Sequence, residues 1–285
     1  MINSTKQIMS FSDISNNYSA LICDIWGVVH NGLVANDEAV AALVKYRQMG
    51  GKVILVTNAS RTAPFIKKML DSMDITQEAY DVIVTSGDVT RNHIKKYSND
   101  IIHHVGPITN EVVFDGLNIT KGEAQEAKAI VITGLDKDDD GLEKYQDRLN
   151  EWLELGLELI CTNPDKVVEI GDKILYCPGA IADLYQEMGG KIIMAGKPSE
   201  VIYNASFLEI GKITGNKINL KTILAIGDSV RTDATGAANM GIDFLFISGS
   251  IHKEEIDACG NVNEKIHQLV APSKANLIGY QIRLK

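Results

Sequence analysis

The chain has 285 residues, enough for a large hydrophobic core with an insert. Hydrophobic residues make up 45% and charged residues 23%, ordinary values for a folded chain that exclude extended disorder. The formal net charge of −9 argues against broad contact with a nucleic-acid backbone, and no apolar run approaches the length of a membrane span.

Residues 1–17 are polar and lack the basic start and apolar core of a secretory signal, so a soluble protein of the cytoplasm is expected. The first strand is predicted at Ala20–Asp24, an apolar run of the kind buried on both faces of a parallel sheet, followed by Gly27. A helix is predicted from the cap Asn36 to Gly50, a second strand over Lys52–Thr57, and a helix begun by Thr62 and Pro64 that runs to Met73. A third strand over 81–86 and a helix over 87–97 continue the alternation, which predicts a doubly wound α/β fold.

From about 101 to 190 the rhythm loosens. Asp115-Gly116 reads as the turn of a hairpin, 129–133 and 157–161 as strands, and 178–189 as a helix. Residues 138–153 read as an amphipathic helix with acids in its first turn. The acidic run 136–140 lacks the glycine and terminal glutamate of a calcium loop. The strand 191–195 is expected to rejoin the first sheet, followed by a helix from Ser199, a strand over 222–226, a helix over 235–240 and a strand over 244–247. The expected organisation is therefore a core of residues 1–88 and 190–285, with an α/β cap inserted at 89–189.

The four cysteines stand singly, with no CxxC pair or zinc spacing, and Cys23 lies within an apolar run as a buried thiol. Polar groups mark the strand ends: Asp24, then Thr57-Asn58, then Gly196-Lys197-Pro198, then Gly227-Asp228 and Asp233. Each has a plain alternative: a capping Asp, a turn Thr, a surface Lys. Together, on one edge of a parallel sheet, they are the groups that aspartyl-phosphate chemistry requires. A carboxylate nucleophile divides phosphate-ester hydrolysis into two displacements. A Mg²⁺ ion between Asp24 and Asp228 would neutralise the charge between anionic nucleophile and anionic phosphate. Lys197, Thr57 and N–H groups near Gly27 and Asn58 would hold the phosphate oxygens.

The ordered set Asp24-x-x-Gly27-Val28, Thr57-Asn58, Gly196-Lys197-Pro198 and Gly227-Asp228-x-x-x-x-Asp233 resembles the haloacid-dehalogenase-like (HAD) hydrolases. It is most similar to their class IIA group of sugar-phosphate, nucleotide, 4-nitrophenyl phosphate and pyridoxal-phosphate phosphatases. Asn163-Pro164-Asp165, Pro178-Gly179-Ala180, Gly236-Ala237 and Met240-Gly241 extend the likeness over nearly the whole chain. The resemblance implies a Rossmann-like core with an inserted cap and a Mg²⁺ site. It implies Asp24 as nucleophile and metal ligand, Asp228 and Asp233 at the metal, the Trp26 carbonyl as a further ligand, and Thr57 and Lys197 on the phosphate. It also implies a small phosphorylated metabolite as substrate, and the cap of such folds often serves homodimer formation.

Substrate contacts are expected from Asn163 and Asp165 at the end of a cap strand, with an Asx turn as the plain alternative, and from Ser60 and Arg61. The sequence departs from the family at position 26. Its phosphatases carry a second Asp there as general acid and base, whereas an indole can neither protonate an alkoxide nor activate water. Three readings follow: a phosphatase using another acid, with His30 the nearest candidate and a packed loop histidine its alternative; a slow phosphatase selective for good leaving groups; or a phosphoester-binding protein that retains the metal and phosphate site.

Overall fold

The computed structural model describes residues 6–137, 139–170 and 173–285, so Asp138, where the amphipathic helix was expected to begin, lies outside the described residues. The strands in chain order are β1 (Ala20–Asp24), β2 (Lys52–Thr57), β3 (Val82–Thr85), β4 (Ile101–Val105), β5 (Thr120–Lys121), β6 (Ala129–Ile132), β7 (Glu158–Cys161), β8 (Val167–Ile170), β9 (Lys173–Tyr176), β10 (Lys191–Met194), β11 (Ile223–Gly227), β12 (Asp243–Ile247) and β13 (Asn276–Gln281). The chain divides into two compact units, residues 1–57, 67–84 and 202–285 in the first and 58–66 and 85–201 in the second. Among the described residues no helix is long and apolar enough to cross a membrane.

The first unit is built on a six-stranded sheet in the order β13-β12-β11-β1-β2-β3. β1 runs parallel to both β2 and β11, with Cys23 opposite Leu55 and Ile226. All five residues of β1 and of β11 are buried, as expected for central strands covered on both faces. From β1 the chain builds outward through β2 and β3, then resumes at the other side of β1 with β11. That reversal of strand order opens a crevice at the carboxyl ends of β1 and β11, the place where open α/β sheets bind ligands. The helix Asp37–Gln48 after β1 starts on Asn36, whose side-chain oxygen accepts the N–H of Ala39. Arg47, near its end, reaches both carboxylate oxygens of Asp81 at 3.1 and 2.7 Å, and Asp81 in turn accepts the N–H of Val53 on β2.

The second unit carries a five-stranded sheet, β10-β7-β6-β4-β5, parallel throughout, and the antiparallel pair β8–β9. One apolar cluster centres on Trp152, Tyr145 and Tyr185, and a second on Ile102, Val131 and Ile160. Three expectations are corrected here. Asp115-Gly116 closes no hairpin: the turn follows a 3₁₀ segment over Ile108–Phe114, and β5 pairs parallel with β4. The strand at 191–194 does not rejoin the first sheet but pairs with β7, because a short apolar strand carries no mark of the sheet that receives it. The helix expected from residue 138 is a 3₁₀ turn over Leu142–Tyr145 that leads into an α-helix over Gln146–Glu154.

Candidate active site

Asp24 is the last residue of β1, and its Oδ1 accepts the N–H of Ile25 at 2.7 Å. β11 ends at Gly227 and passes Asp228 into a π-helical turn over Val230–Ala234, which places Asp233 back against the strand end. Asp233 Oδ2 accepts the N–H of Ser229 at 3.1 Å, and the Asp233 carbonyl accepts the Tyr203 hydroxyl at 3.4 Å. Gly227 is required here, because a Cβ on it would lie 2.2 Å from Asp233 Cγ. Each of Asp24, Asp228 and Asp233 offers an oxygen within 4.8 Å of the others, and all three are buried. Three buried carboxylates at that spacing repel one another strongly unless a cation offsets them. An all-oxygen donor set of this kind fits a hard divalent ion such as Mg²⁺.

The loop after Asp24 is held by its own hydrogen bonds. Gly27 N–H donates to the His30 carbonyl at 2.8 Å, and the Val29 and His30 N–H groups donate to the Ile25 carbonyl at 2.8 and 3.2 Å. Gly27 has φ +81°, and a Cβ there would stand 2.0 Å from Asp228 Oδ2 and 2.5 Å from Ser250 Oγ. The backbone at Gly27 therefore lies directly on the carboxylate cluster, and only glycine fits.

His30 is 2% exposed, and its Nδ1 accepts the N–H of Gly32 at 2.9 Å. Burial pushes its pKa down to about 4, so the imidazole is neutral at pH 7. Nε2 is buried with no hydrogen-bond partner, and the ring meets Trp26 edge-on at 5.0 Å between centroids. This corrects the expectation of His30 as the replacement acid. A ring that accepts a backbone N–H at one nitrogen and stays neutral to about pH 4 supports the loop and has no proton poised near neutrality to give.

A pH dependence of stability follows. The unfolded chain takes up the His30 proton near pH 6.5 and the folded chain only near 4. Stability from this group is therefore full above about 6.5 and falls as pH drops toward 4, by at most about 3 kcal/mol. His30→Asn, whose side-chain oxygen can still accept the Gly32 N–H, is expected to lose less than wild type between pH 7 and 5. Urea midpoints at the two pH values measure the difference.

Thr57, the last residue of β2, is buried in the first unit. Asn58, Ser60, Arg61, Asn163, Asp165 and Lys197 belong to the second. There Asn58 Oδ1 accepts the Lys197 N–H at 2.7 Å, and its amide donates to Asp165 Oδ1 at 2.8 Å and to the Lys197 carbonyl at 3.1 Å. Asn163 Oδ1 accepts the Asp165 N–H at 2.9 Å, an Asx turn that leaves Asp165 oriented toward Asn58. Lys197 is 2% exposed, and an ammonium is held so deeply only where hydrogen-bonding or anionic partners meet it. Ser60 is buried, with its carbonyl against Gly87. Arg61 lies over the Phe65 ring, and its Nε donates to Asn110 Oδ1 at 2.7 Å.

Sequence reasoning missed Ser250, Tyr203 and Asn110. Ser248-Gly249-Ser250 follows the apolar strand β12, the same polar strand-end signal that marked Asp24, and was readable on that ground. Tyr203 and Asn110 reach their partners from other segments, and no local pattern announces them.

A sequence-family model for haloacid dehalogenase-like hydrolases matches residues 21–120, and a second, HAD-hydrolase-like, matches residues 194–273. A haloacid dehalogenase-like hydrolase from Brucella suis is 36% identical over 97% of this chain and 99% of its own, with a TM-score of 0.87. The chain belongs to the haloacid dehalogenase-like hydrolases. The same fold recurs in a p-nitrophenyl phosphatase from Archaeoglobus fulgidus, 22% identical over 93% of this chain and 95% of that one, TM-score 0.68. It recurs also in a glycerol phosphate phosphatase from Mycobacterium tuberculosis in complex with magnesium, 19% identical over 88% and 74%, TM-score 0.63. A comparison with curated proteins finds no match.

Proposed function

We propose that the protein is a Mg²⁺-dependent phosphatase that hydrolyses a small phosphate monoester, a sugar phosphate or similar metabolite, through an aspartyl-phosphate intermediate. The observation that carries the reading is the trio of buried carboxylates, Asp24, Asp228 and Asp233, with oxygens within 4.8 Å of one another at the carboxyl ends of two neighbouring parallel strands. Asp24, Asp228 and Asp233, with the Trp26 carbonyl, would hold the ion, which when bound neutralises charge on the phosphate. An Asp24 carboxylate oxygen forms the bond to phosphorus as the ester P–O bond breaks, and the departing oxygen takes the electron pair. Water then attacks the phosphorus, the acyl-phosphate P–O bond breaks, and Asp24 and inorganic phosphate are released. The Thr57 hydroxyl, the Lys197 ammonium and the Asn58 side chain are assigned to the phosphate oxygens, and Asn163, Asp165, Ser60 and Arg61 to the rest of the substrate.

Position 26 sets the rate. Trp26 has no proton to lend an alkoxide, so alkyl esters are expected to turn over slowly. Trp26→Asp is expected to raise turnover of glycerol phosphate by about 10²–10⁴-fold, the usual contribution of a positioned acid. Hydrolysis of p-nitrophenyl phosphate with Mg²⁺ and with EDTA tests the reading as a whole. Activity that needs the metal supports it, whereas binding of phosphate with no turnover on any ester would favour a phosphoester-binding protein instead.

A further inference from the structure

The turn that carries Asp228 and Asp233 is bonded both to itself and to a support outside it. The Ser229 carbonyl accepts the N–H groups of Asp233 and Ala234 at 2.9 and 3.1 Å, Asp233 Oδ2 accepts the Ser229 N–H at 3.1 Å, and the Thr235 hydroxyl donates to the Val230 carbonyl at 2.9 Å. Val230 is the first residue of the π-helical stretch, and an N–H at a helix start has no carbonyl of its own helix to meet. It donates instead to His252 Nε2 at 3.4 Å. His252 stands on the loop after β12, which also sets Ser250 Oγ beside Gly27 and Asp228. That loop is fixed by two bonds to the next chain segment, Ser248 N–H to the Gln281 carbonyl at 2.8 Å and Gly249 N–H to the Ile282 carbonyl at 2.9 Å. The other nitrogen of the His252 ring, Nδ1, meets Glu255 Oε1 at 2.5 Å, and Glu255 Oε2 meets Lys265 Nζ at 3.2 Å. Hydrogen bonding from His252, and then from Lys265, holds the Glu255 carboxyl below its usual range. A carboxylate only accepts, so Nδ1 carries the proton and Nε2 is left as the acceptor for Val230. All of these residues lie in the first compact unit.

We propose that His252 and Glu255 are positioning residues that hold the turn bearing Asp228 and Asp233 to the spacing Mg²⁺ requires, and so set the site's preference for Mg²⁺ over Ca²⁺. The proposal rests on the Mg²⁺ site of the phosphatase reading and adds what tunes it. Val230 stands two residues after Asp228 and three before Asp233, and the bonds inside the turn pass a displacement at Val230 to both carboxylates. Mg²⁺ demands a near-ideal octahedron of oxygens at about 2.0–2.1 Å, whereas Ca²⁺ accepts irregular shells at about 2.3–2.6 Å. A turn released from His252 therefore loses more for Mg²⁺ than for Ca²⁺. A histidine whose tautomer is fixed by a carboxylate is a common means of orienting groups at a metal from outside its ligand set.

The test titrates the whole protein with MgCl₂ and with CaCl₂, without substrate, and reads each affinity from the rise in Tm over the same variant in EDTA, so that a general loss of stability cancels. His252→Leu is expected to weaken Mg²⁺ by about 10–100-fold, the usual effect of removing such a partner, and Ca²⁺ by less. The ratio of Mg²⁺ to Ca²⁺ affinity therefore falls. His252→Gln, whose side-chain oxygen can take the place of Nε2, is expected to restore most of the Mg²⁺ affinity. Glu255→Gln no longer dictates the tautomer and is expected to lower the ratio in the same direction by a smaller factor. Its side chain is 43% exposed, so this variant decides the matter if His252→Leu does not fold. An unchanged ratio in folded His252→Leu or in Glu255→Gln, or a Gln variant at position 252 no better than Leu, overturns the proposal. Hydrolysis of p-nitrophenyl phosphate separates the two readings. Should wild type hydrolyse no ester yet show the expected ratios, the phosphatase reading fails and the positioning role stands. Mg²⁺-dependent hydrolysis with unchanged ratios rejects the positioning role and leaves the phosphatase, and a wild type that binds no Mg²⁺ overturns both.

Discussion

Asp24→Asn is expected to lower Mg²⁺-dependent hydrolysis of p-nitrophenyl phosphate by roughly 10⁴–10⁶-fold, the range seen when a covalent nucleophile is removed. The carboxamide is nearly isosteric, and its oxygen can still accept the Ile25 N–H that Asp24 Oδ1 now accepts at 2.7 Å. The fold should therefore survive, with an unchanged circular-dichroism spectrum. The rise in Tm that Mg²⁺ confers on wild type should shrink in parallel. Activity retained within tenfold would place the nucleophile elsewhere. Lost activity with an undiminished Mg²⁺ response would leave Asp24 a reactive group outside the metal site.

Gly27→Ala carries the second large effect, on stability and activity together. At φ +81° an alanine pays about 1–2 kcal/mol for the left-handed backbone alone. Its Cβ would stand 2.0 Å from Asp228 Oδ2 and 2.5 Å from Ser250 Oγ, so Asp228 must move. Overpacking of this kind costs a further 1–3 kcal/mol or so, and a shift near 1 Å at a reacting centre costs about 10²-fold in rate. Gly50→Ala separates the two causes. Gly50 has φ +97° with nothing within 4 Å of its missing Cβ, so only the backbone cost should appear and activity should hold. Urea unfolding and Mg²⁺ titration of both variants measure the contrast. Equal losses in the two would show that contact with Asp228 contributes nothing.

Much of the first sheet was readable because its strands are short apolar runs that end in conspicuous polar groups. β2 falls at Lys52–Thr57 as predicted, the cap at Asn36 is in place, and the helix at Thr235–Met240 ends on Gly241 at φ +66°. Local propensity and burial act on the same residues there. The errors share a cause as well. β10 looks like a strand of the first sheet because hydrophobicity reports that a strand is buried, not which partner buries it. The expected hairpin at Asp115-Gly116 failed because a turn signal is the same whether the next strand pairs antiparallel or crosses over to pair parallel. The short pairs β4–β5 and β8–β9 gave too little periodicity to notice.

The site divides in the same manner. Sequence alone singled out Asp24, Asp228 and Asp233, since an ionisable group beside a buried apolar run needs a chemical reason. It also located the anomaly at Trp26, which is a matter of residue identity. What tertiary structure decided was which groups meet. It brought three carboxylates to within 4.8 Å, set Ser250 beside Gly27, tied Asn58 to Lys197 and Asp165, and turned His30 from a candidate acid into a buried neutral support for the loop. Proton affinity and like-charge repulsion depend on distance and desolvation, which follow only once strands remote in sequence have been packed side by side.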